Sequence, residues 1–270
     1  MSASPVVKII AQDRVLQAVI ARPEKRNAIN LDVAEGLYKT VKQFGEDDRL
    51  RVLLIRAEGE YFSAGADINS ETFPAEEVLR RPSAFRRWYR GGAGSLHPLF
   101  DEIEALEKPV VVAHQGPCLG GALELSLSCD FRLASTNARY ALPETTMGAL
   151  PGSGGISRLT RLVGAAWAKW FIMANLPVDA DKAESIGLVH ALYPEAEFDT
   201  KVMAFCNHLA VQPPEAVSAA KLAIGLVADL GPGQARDVER LANSLLVSGD
   251  EYGRLVADMR ARLGGKGARS

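Results

Sequence analysis

Two short runs, Val52-Leu53-Leu54-Ile55 and Val110-Val111-Val112-Ala113, constrain the fold most, because each is apolar at every position. A strand with one face in water alternates apolar and polar residues; an unbroken run suits a strand covered on both faces. The neighbouring segments fit such a sheet. Val6 to Ile10 and Val15 to Ile20 predict an opening hairpin around Gln12-Asp13-Arg14. Asn30 or Asp32 caps a helix whose apolar face runs through Val33, Leu37 and Val41. Asp130 to Leu133 and Arg139 to Leu142 predict further strands, and Gly120-Gly121 opens an apolar helix ending at Leu127. The recurring strand, strand, helix order predicts a layered or spiral α/β core over residues 1–195.

After Pro194 the spacing becomes helical, with helices expected at Phe198 to Ala210, Pro214 to Leu230, Ala235 to Leu246 and Tyr252 to Leu263. Residues 196–270 are therefore expected to form an all-helical segment that frays after Gly264. Between Ile68 and Lys108, dense charge with Pro74, Pro82 and Gly91-Gly92 predicts broken helix and loop, with a regular helix resuming from Leu99 to Leu106.

The formal net charge of -2 gives no global attraction to a polyanion, so no nucleic acid partner is expected. The arginines at 80, 81, 86, 87 and 90 read as a solvated face or a phosphate contact. Cys118, Cys129 and Cys206 are odd in number and lack metal or redox spacing, which suits a reducing compartment and small buried side chains. No signal-peptide pattern and no membrane-length apolar run is evident, so a cytoplasmic protein without a membrane partner is expected. His97, His114, His190 and His208 share no metal spacing, and no metal site is expected. Ser153 lacks the context of a nucleophile elbow, and Trp88, Trp167 and Trp170 read as packing residues.

Three segments can carry chemistry. In Gly120-Gly121-Ala122-Leu123-Glu124, a helix start exposes unpaired N–H groups that favour a developing oxyanion, and Glu124 lies about one turn further on. The same residues read equally as a glycine-capped helix with an acid in its first turn. Ser63-Ala64-Gly65-Ala66-Asp67 reads as a second N–H donor or as a plain turn capped by Asp67. Glu144 follows Pro143 at a turn and reads as an acid of the site or of the surface.

Taken together, the chain from about Val7 to Leu192 resembles the enoyl-CoA hydratase/isomerase, or crotonase, superfamily. The motifs that carry the resemblance are Arg22-Pro23-Glu24-Lys25-Arg26-Asn27-Ala28, Phe62-Ser63-Ala64-Gly65-Ala66-Asp67-Ile68, Leu119-Gly120-Gly121-Ala122-Leu123-Glu124-Leu125 with Cys129-Asp130, and Leu142-Pro143-Glu144 with Pro151-Gly152-Ser153-Gly154-Gly155. Their shared order and spacing are more specific than any single motif. The resemblance implies a crotonase-like spiral of strand-strand-helix units with a C-terminal helical oligomerisation segment. It implies an oxyanion hole from the Ala66 and Gly121 N–H groups, and contact of Lys25, Ala28, Ala64 and Ile68 with coenzyme A. It implies no permanently bound cofactor, coenzyme A being part of the thioester substrate.

Relatives that add water across a 2,3-enoyl thioester carry two acids, at positions here held by Glu124 and Glu144. Addition of water to an acyl-CoA substrate of the 2-enoyl kind, by an enoyl-CoA hydratase, is thus the function the resemblance implies, with assembly as a homotrimer or a hexamer built as a dimer of trimers. An enoyl-CoA isomerase, a specialised aromatic or branched acyl-CoA hydratase, and a catalytically silent binding member are the alternatives. Two departures stand out. The stretch from Asp67 to Lys108 is longer than in short-chain hydratases, so Phe85, Trp88 and Tyr89 are expected to shape the acyl pocket. A Phe and a Lys common in the last helix of relatives are replaced here by Asp258 and Ala261, with Arg254, Arg260 or Arg262 as substitute cations.

Overall fold

The structure is a computed structural model that describes residues 5–68, 74–92 and 95–266. The expectations for the N-terminal residues 1–4, for parts of the irregular stretch (69–73 and 93–94) and for the end of the fraying tail (267–270) lie outside the described residues. The chain forms two compact units, Met1–Ala210 and Val211–Ser270.

The first unit begins with the expected hairpin. Strands β1 (Val7–Gln12) and β2 (Val15–Ile20) pair antiparallel around Asp13, whose φ of 51° gives the tight reversal. Helix α1 (Leu31–Glu46) is capped by Asn30, whose side chain accepts from the Val33 N–H at 3.0 Å, and Asp32 falls inside the first turn. Its buried face is Val33, Leu37, Val41 and Phe44, the spacing of one helical stripe. Strands β3 (Val52–Ala57) and β4 (Val110–His114) extend the sheet in parallel, and both apolar runs are wholly buried.

Helices α2 (Glu76–Leu79), α3 (Pro82–Gly91) and α4 (His97–Ala105) fill the interval between β3 and β4. Beyond β4 a second layer starts. Strand β5 (Cys118–Leu119) is followed by α5 (Gly121–Leu127), and β6 (Phe131–Ser135) by β7 (Arg139–Ala141) and α6 (Gly155–Ile172). Strand β8 (Val178–Asp179), α7 (Ala180–Ser185) and β9 (Ala191–Tyr193) complete the layers.

The larger sheet runs β1-β2-β3-β4-β6-β9 and the smaller β5-β7-β8. Strands β1 to β4 lie side by side in the larger sheet, successive strands from β4 to β7 then alternate between the two sheets, and helices separate β2 from β3, β3 from β4, β5 from β6 and β7 from β8. This is the spiral of strand-strand-helix units expected from the sequence. Bridges Ile29 to Ala66 and Ser63 to Cys118 continue the smaller layer toward the N-terminal turns and bring loops distant in sequence side by side. Helix α5 lies in the middle with all its residues buried, which accounts for its apolar composition on every side.

Helix α8 (Phe198–Ala210) belongs to this first unit. Phe198, Val202, Cys206 and Ala210 pack with Val15, Val52, Leu54, Val111, Ala113 and Leu133 on one face of the larger sheet. Arg56 of β3 pairs with Asp199 of α8 at 2.6 Å. The division between units thus falls after Ala210, beyond the 195/196 boundary expected from the change of periodicity, because α8 is the cover of that sheet face. The second unit contains α9 (Pro214–Val227), α10 (Pro232–Ser248) and α11 (Asp250–Lys266), close to the three expected helices.

Candidate active site

Glycine permits a close backbone approach between the loop after β3 and the start of α5. Gly65 has φ of 94°, and a Cβ there would stand 2.7 Å from the Leu119 carbonyl oxygen and 3.2 Å from the Gly121 nitrogen. A Cβ at Gly121 would in turn lie 3.5 Å from the Ala66 nitrogen. The Ala66 and Gly121 N–H groups are therefore neighbours.

Their orientation follows from the flanking hydrogen bonds. The Ile29 N–H donates to the Gly65 carbonyl and the Asp67 N–H to the Ile29 carbonyl, which turns the Ala66 N–H away from that bridge. Gly121 is the first residue of α5, where an N–H has no partner within its helix. Neither N–H donates to an acceptor among the described residues. Two adjacent free donors at a helix start can receive a developing negative charge.

Glu124 sits one turn into α5 and is 4% exposed. Its Oε1 accepts from the Ser153 N–H at 2.7 Å and the Gly155 N–H at 3.0 Å. Burial, followed by the repulsion of Glu144, pushes its carboxyl up to about 7, against the opposing pull of these two N–H groups and Arg158. Glu144 lies in the 3₁₀ turn Pro143–Met147, with its Oε1 3.0 Å from where a Cβ of Gly120 would be. Its Oε2 is buried without a hydrogen-bond partner, and burial raises its carboxyl above the ordinary value. The spiral thus brings Ala66, Gly121, Glu124 and Glu144 to one place from three separate segments.

The remaining expected contacts gather on the adjoining loop. Lys25 ends the 3₁₀ turn Pro23–Lys25 and is exposed, and its carbonyl accepts from the Ala28 N–H. The Ala64 N–H donates to the Arg26 carbonyl, which joins this loop to the one bearing Ala66. Ile68 is 59% exposed at the end of that second loop.

Asn27 holds the pair of loops together, a role not evident from the sequence. It is fully buried in the left-handed region at φ of 52°, donates to the Glu58 and Tyr61 carbonyls at 2.7 Å each, and accepts from the Arg22 N–H at 2.8 Å. Arg22 adds a bond to the Ala28 carbonyl at 2.6 Å and an ion pair with Asp67 at 3.2 Å. The adjacent Arg26 and Asn27 are both left-handed, and Asn tolerates this region better than most residues. That tolerance was the available signal.

Ser153, set aside as a nucleophile, takes part through its backbone. Tyr89 also reaches this region: a Cβ on Gly152 would stand 3.3 Å from its Cζ and collide with its hydroxyl. Two of the histidines lie in packing positions: His114 is buried against Tyr140 at 3.0 Å, and His190 accepts from the Arg132 N–H at 3.1 Å. Of the arginine cluster, Arg80 and Arg81 pair with Glu76 and Glu77 on an exposed helix face. No group of three or more candidate ligands suited to a metal ion occurs among the described residues.

The sequence profile described as Enoyl-CoA hydratase/isomerase matches residues 11–241. The chain is 33% identical over 231 residues to a short-chain-enoyl-CoA hydratase of Clostridium acetobutylicum, covering 84% of this chain and 85% of that protein. It is 32% identical over 235 residues to a probable mitochondrial enoyl-CoA hydratase 2 of Arabidopsis thaliana, covering 87% and 75%. Among solved structures, an enoyl-CoA hydratase from Bacillus anthracis superposes with a TM-score of 0.84 at 29% identity, covering 95% of this chain and 96% of that one. With the profile spanning most of its length, the chain belongs to the enoyl-CoA hydratase/isomerase family.

Proposed function

We propose that the protein adds water across the 2,3 double bond of a short-chain enoyl-CoA thioester. The observation that carries this reading is the placement of a buried glutamate, Glu124, and a half-buried one, Glu144, beside two free N–H groups, those of Ala66 and Gly121. A relative named for short-chain-enoyl-CoA hydration supports the substrate class.

The thioester oxygen is received by the Ala66 and Gly121 N–H groups. The Glu124 carboxylate takes a proton from water as the oxygen attacks C3, and the C2–C3 π electrons move through C2 onto the thioester oxygen. The two donors stabilise the resulting enolate by about 3 kcal/mol each. The enolate collapses and C2 takes a proton from the Glu144 carboxyl. Glu124 ends protonated and Glu144 ionised, and transfer of that proton between them restores the site.

The assignment of roles rests on the surroundings of each acid. Two N–H donors at Oε1 favour the carboxylate of Glu124. The buried, unpartnered Oε2 of Glu144 favours its neutral form, because an unpaired charge there is costly. Lys25, Ala28, Ala64 and Ile68 border the coenzyme A side of the thioester in this reading. The helical unit assembles the chain into a homotrimer or a dimer of trimers: Ile224, Leu241, Leu245 and Leu263 are each more than half exposed and want cover. A cytoplasmic setting accords with the three free, buried cysteines.

Steady-state assays on crotonyl-CoA and longer 2-enoyl and 3-enoyl thioesters, read by the conjugated thioester absorbance, test the reaction. Hydration of 2-enoyl substrates is expected, and strong losses in both Glu124→Gln and Glu144→Gln. Near-native turnover by both variants refutes the assignment, and conversion of 3-enoyl substrates alone marks an isomerase.

A further inference from the structure

Tyr89 belongs to the stretch between β3 and β4, and its hydroxyl lies against the loop that holds Glu124. The ring leaves α3 beside Phe85 and Trp88, with centroids 5.6 and 6.3 Å away, and meets the edge of His97 at 5.0 Å. The Ser95 hydroxyl ties down the Tyr89 carbonyl at 2.6 Å. These contacts fix the direction of the ring. Its far end occupies the space over Gly152 that any side chain there would fill, and the hydroxyl faces the side chain of Ser153.

The Ser153 peptide is held by two hydrogen bonds and flanked by Tyr89. Its N–H donates to Glu124 at 2.7 Å, its carbonyl accepts from Arg158 at 2.8 Å, and the Tyr89 hydroxyl is lodged over the neighbouring Gly152. Arg158 is itself anchored by Glu104 at 2.6 Å and Asp101 at 3.4 Å. The charged or titratable groups facing Glu124 are Glu144 from the 3₁₀ turn, Arg158 from α6 and Tyr89 from α3.

We infer that Tyr89 is a positioning residue of this site, which keeps the Ser153 N–H aimed at Glu124 and thereby sets the protonation of that glutamate. The inference rests on the hydration reading for its catalytic consequence, though its structural part does not. The Ser153 N–H stabilises the Glu124 carboxylate, so loosening that peptide makes Glu124 hold its proton to higher pH. The base form is then depleted near neutrality and the acid limb of the rate profile moves up.

The experiment uses the full chain labelled with 13C at the glutamate carboxyls, titrated by NMR without substrate, with the Glu124 signal assigned by its loss in Glu124→Gln. In Tyr89→Phe, which keeps the ring and its packing, the Glu124 midpoint should rise by about half a pH unit, the effect of one weakened hydrogen bond. Ser153→Ala, which removes the side chain that the hydroxyl faces and retains the N–H, should give a rise in the same direction. The acid limb of kcat/KM should move by the same amount in each, with kcat at pH 7 lower by about 2-fold and KM little changed.

A Glu124 midpoint unchanged in both variants overturns the inference, as does a change confined to KM, which would make Tyr89 a wall of the acyl pocket. If the wild-type protein hydrates no thioester, the proposed reaction fails, and the NMR midpoints still decide whether Tyr89 acts on Glu124.

Discussion

The Ser153 N–H donates to Oε1 of Glu124 at 2.7 Å, so the acid on the central helix is held from a loop 29 residues further along the chain. With the Gly155 N–H on the same oxygen, the carboxyl is fixed in direction while its other oxygen is left for chemistry. Its midpoint of about 7 places the proton transfer within reach of neutral pH.

Activity should therefore rise with pH through about 7 as Glu124 ionises. Glu124→Gln removes the base and retains the hydrogen bonds to Ser153 and Gly155, so kcat should fall by roughly 10²- to 10⁴-fold with KM nearly unchanged. A pH series of kcat/KM, with the variant measured at its plateau, checks both statements.

The same glutamate should destabilise the fold at alkaline pH. Its carboxyl binds a proton more tightly in the folded chain than in the unfolded one, where the value is near 4.5. Stability consequently falls as pH rises from about 4.5 to about 7 and stays reduced above that. Glu124→Gln should be more stable than wild type at pH 8, by about 1–3 kcal/mol, with the difference disappearing near pH 4.5. Denaturant titrations at the two pH values give the comparison.

Gly65→Ala should disturb the site and the fold together. The new Cβ would meet the Leu119 carbonyl at 2.7 Å, in a backbone conformation with φ of 94° that side chains disfavour. Loss of about 1–3 kcal/mol in stability is expected, with a drop in kcat as Ala66 shifts away from Gly121. Thermal melting and kinetics on the same preparation separate the two effects.

Asn27→Ala should loosen the loops that bear Lys25, Ala28 and Ala64. The Tyr61 carbonyl keeps a second donor in Gln115 at 2.9 Å, whereas the Glu58 carbonyl and the Arg22 N–H lose theirs. A stability loss of about 2 kcal/mol is expected. If these loops border coenzyme A, KM should rise more than kcat falls, which a substrate titration measures.

The parts of the site legible in the sequence are those with a local signature. Gly121 and Glu124 are one helical turn apart, and the Gly65-Ala66 turn follows a buried strand, so both could be read from short segments. The partners of Glu124 could not, since Ser153 and Gly155 are distant in sequence and nothing near them signals what they hold. Helix α6 escaped notice for a local reason: glycines crowd its start, and Gly164 breaks its helical conformation with φ of 78°. Helix α3 was obscured by Pro82 and its arginines, although Phe85, Trp88 and Tyr89 share one aromatic cluster. Helix α8 was visible as a helix, but its membership in the first unit depends on which sheet face lacks a cover, a property of the assembled chain.

The position of α8 bears on how the protein is made. All but one strand of the larger sheet have been synthesised once Ser135 has left the ribosome, yet one apolar face, including Val52, Leu54, Val111 and Leu133, is covered by residues from Phe198 to Ala210. A nascent chain that stalls between these points carries a nearly complete sheet with a sticky exterior. Chaperone occupancy during translation should accordingly persist over that interval and fall once Ala210 emerges.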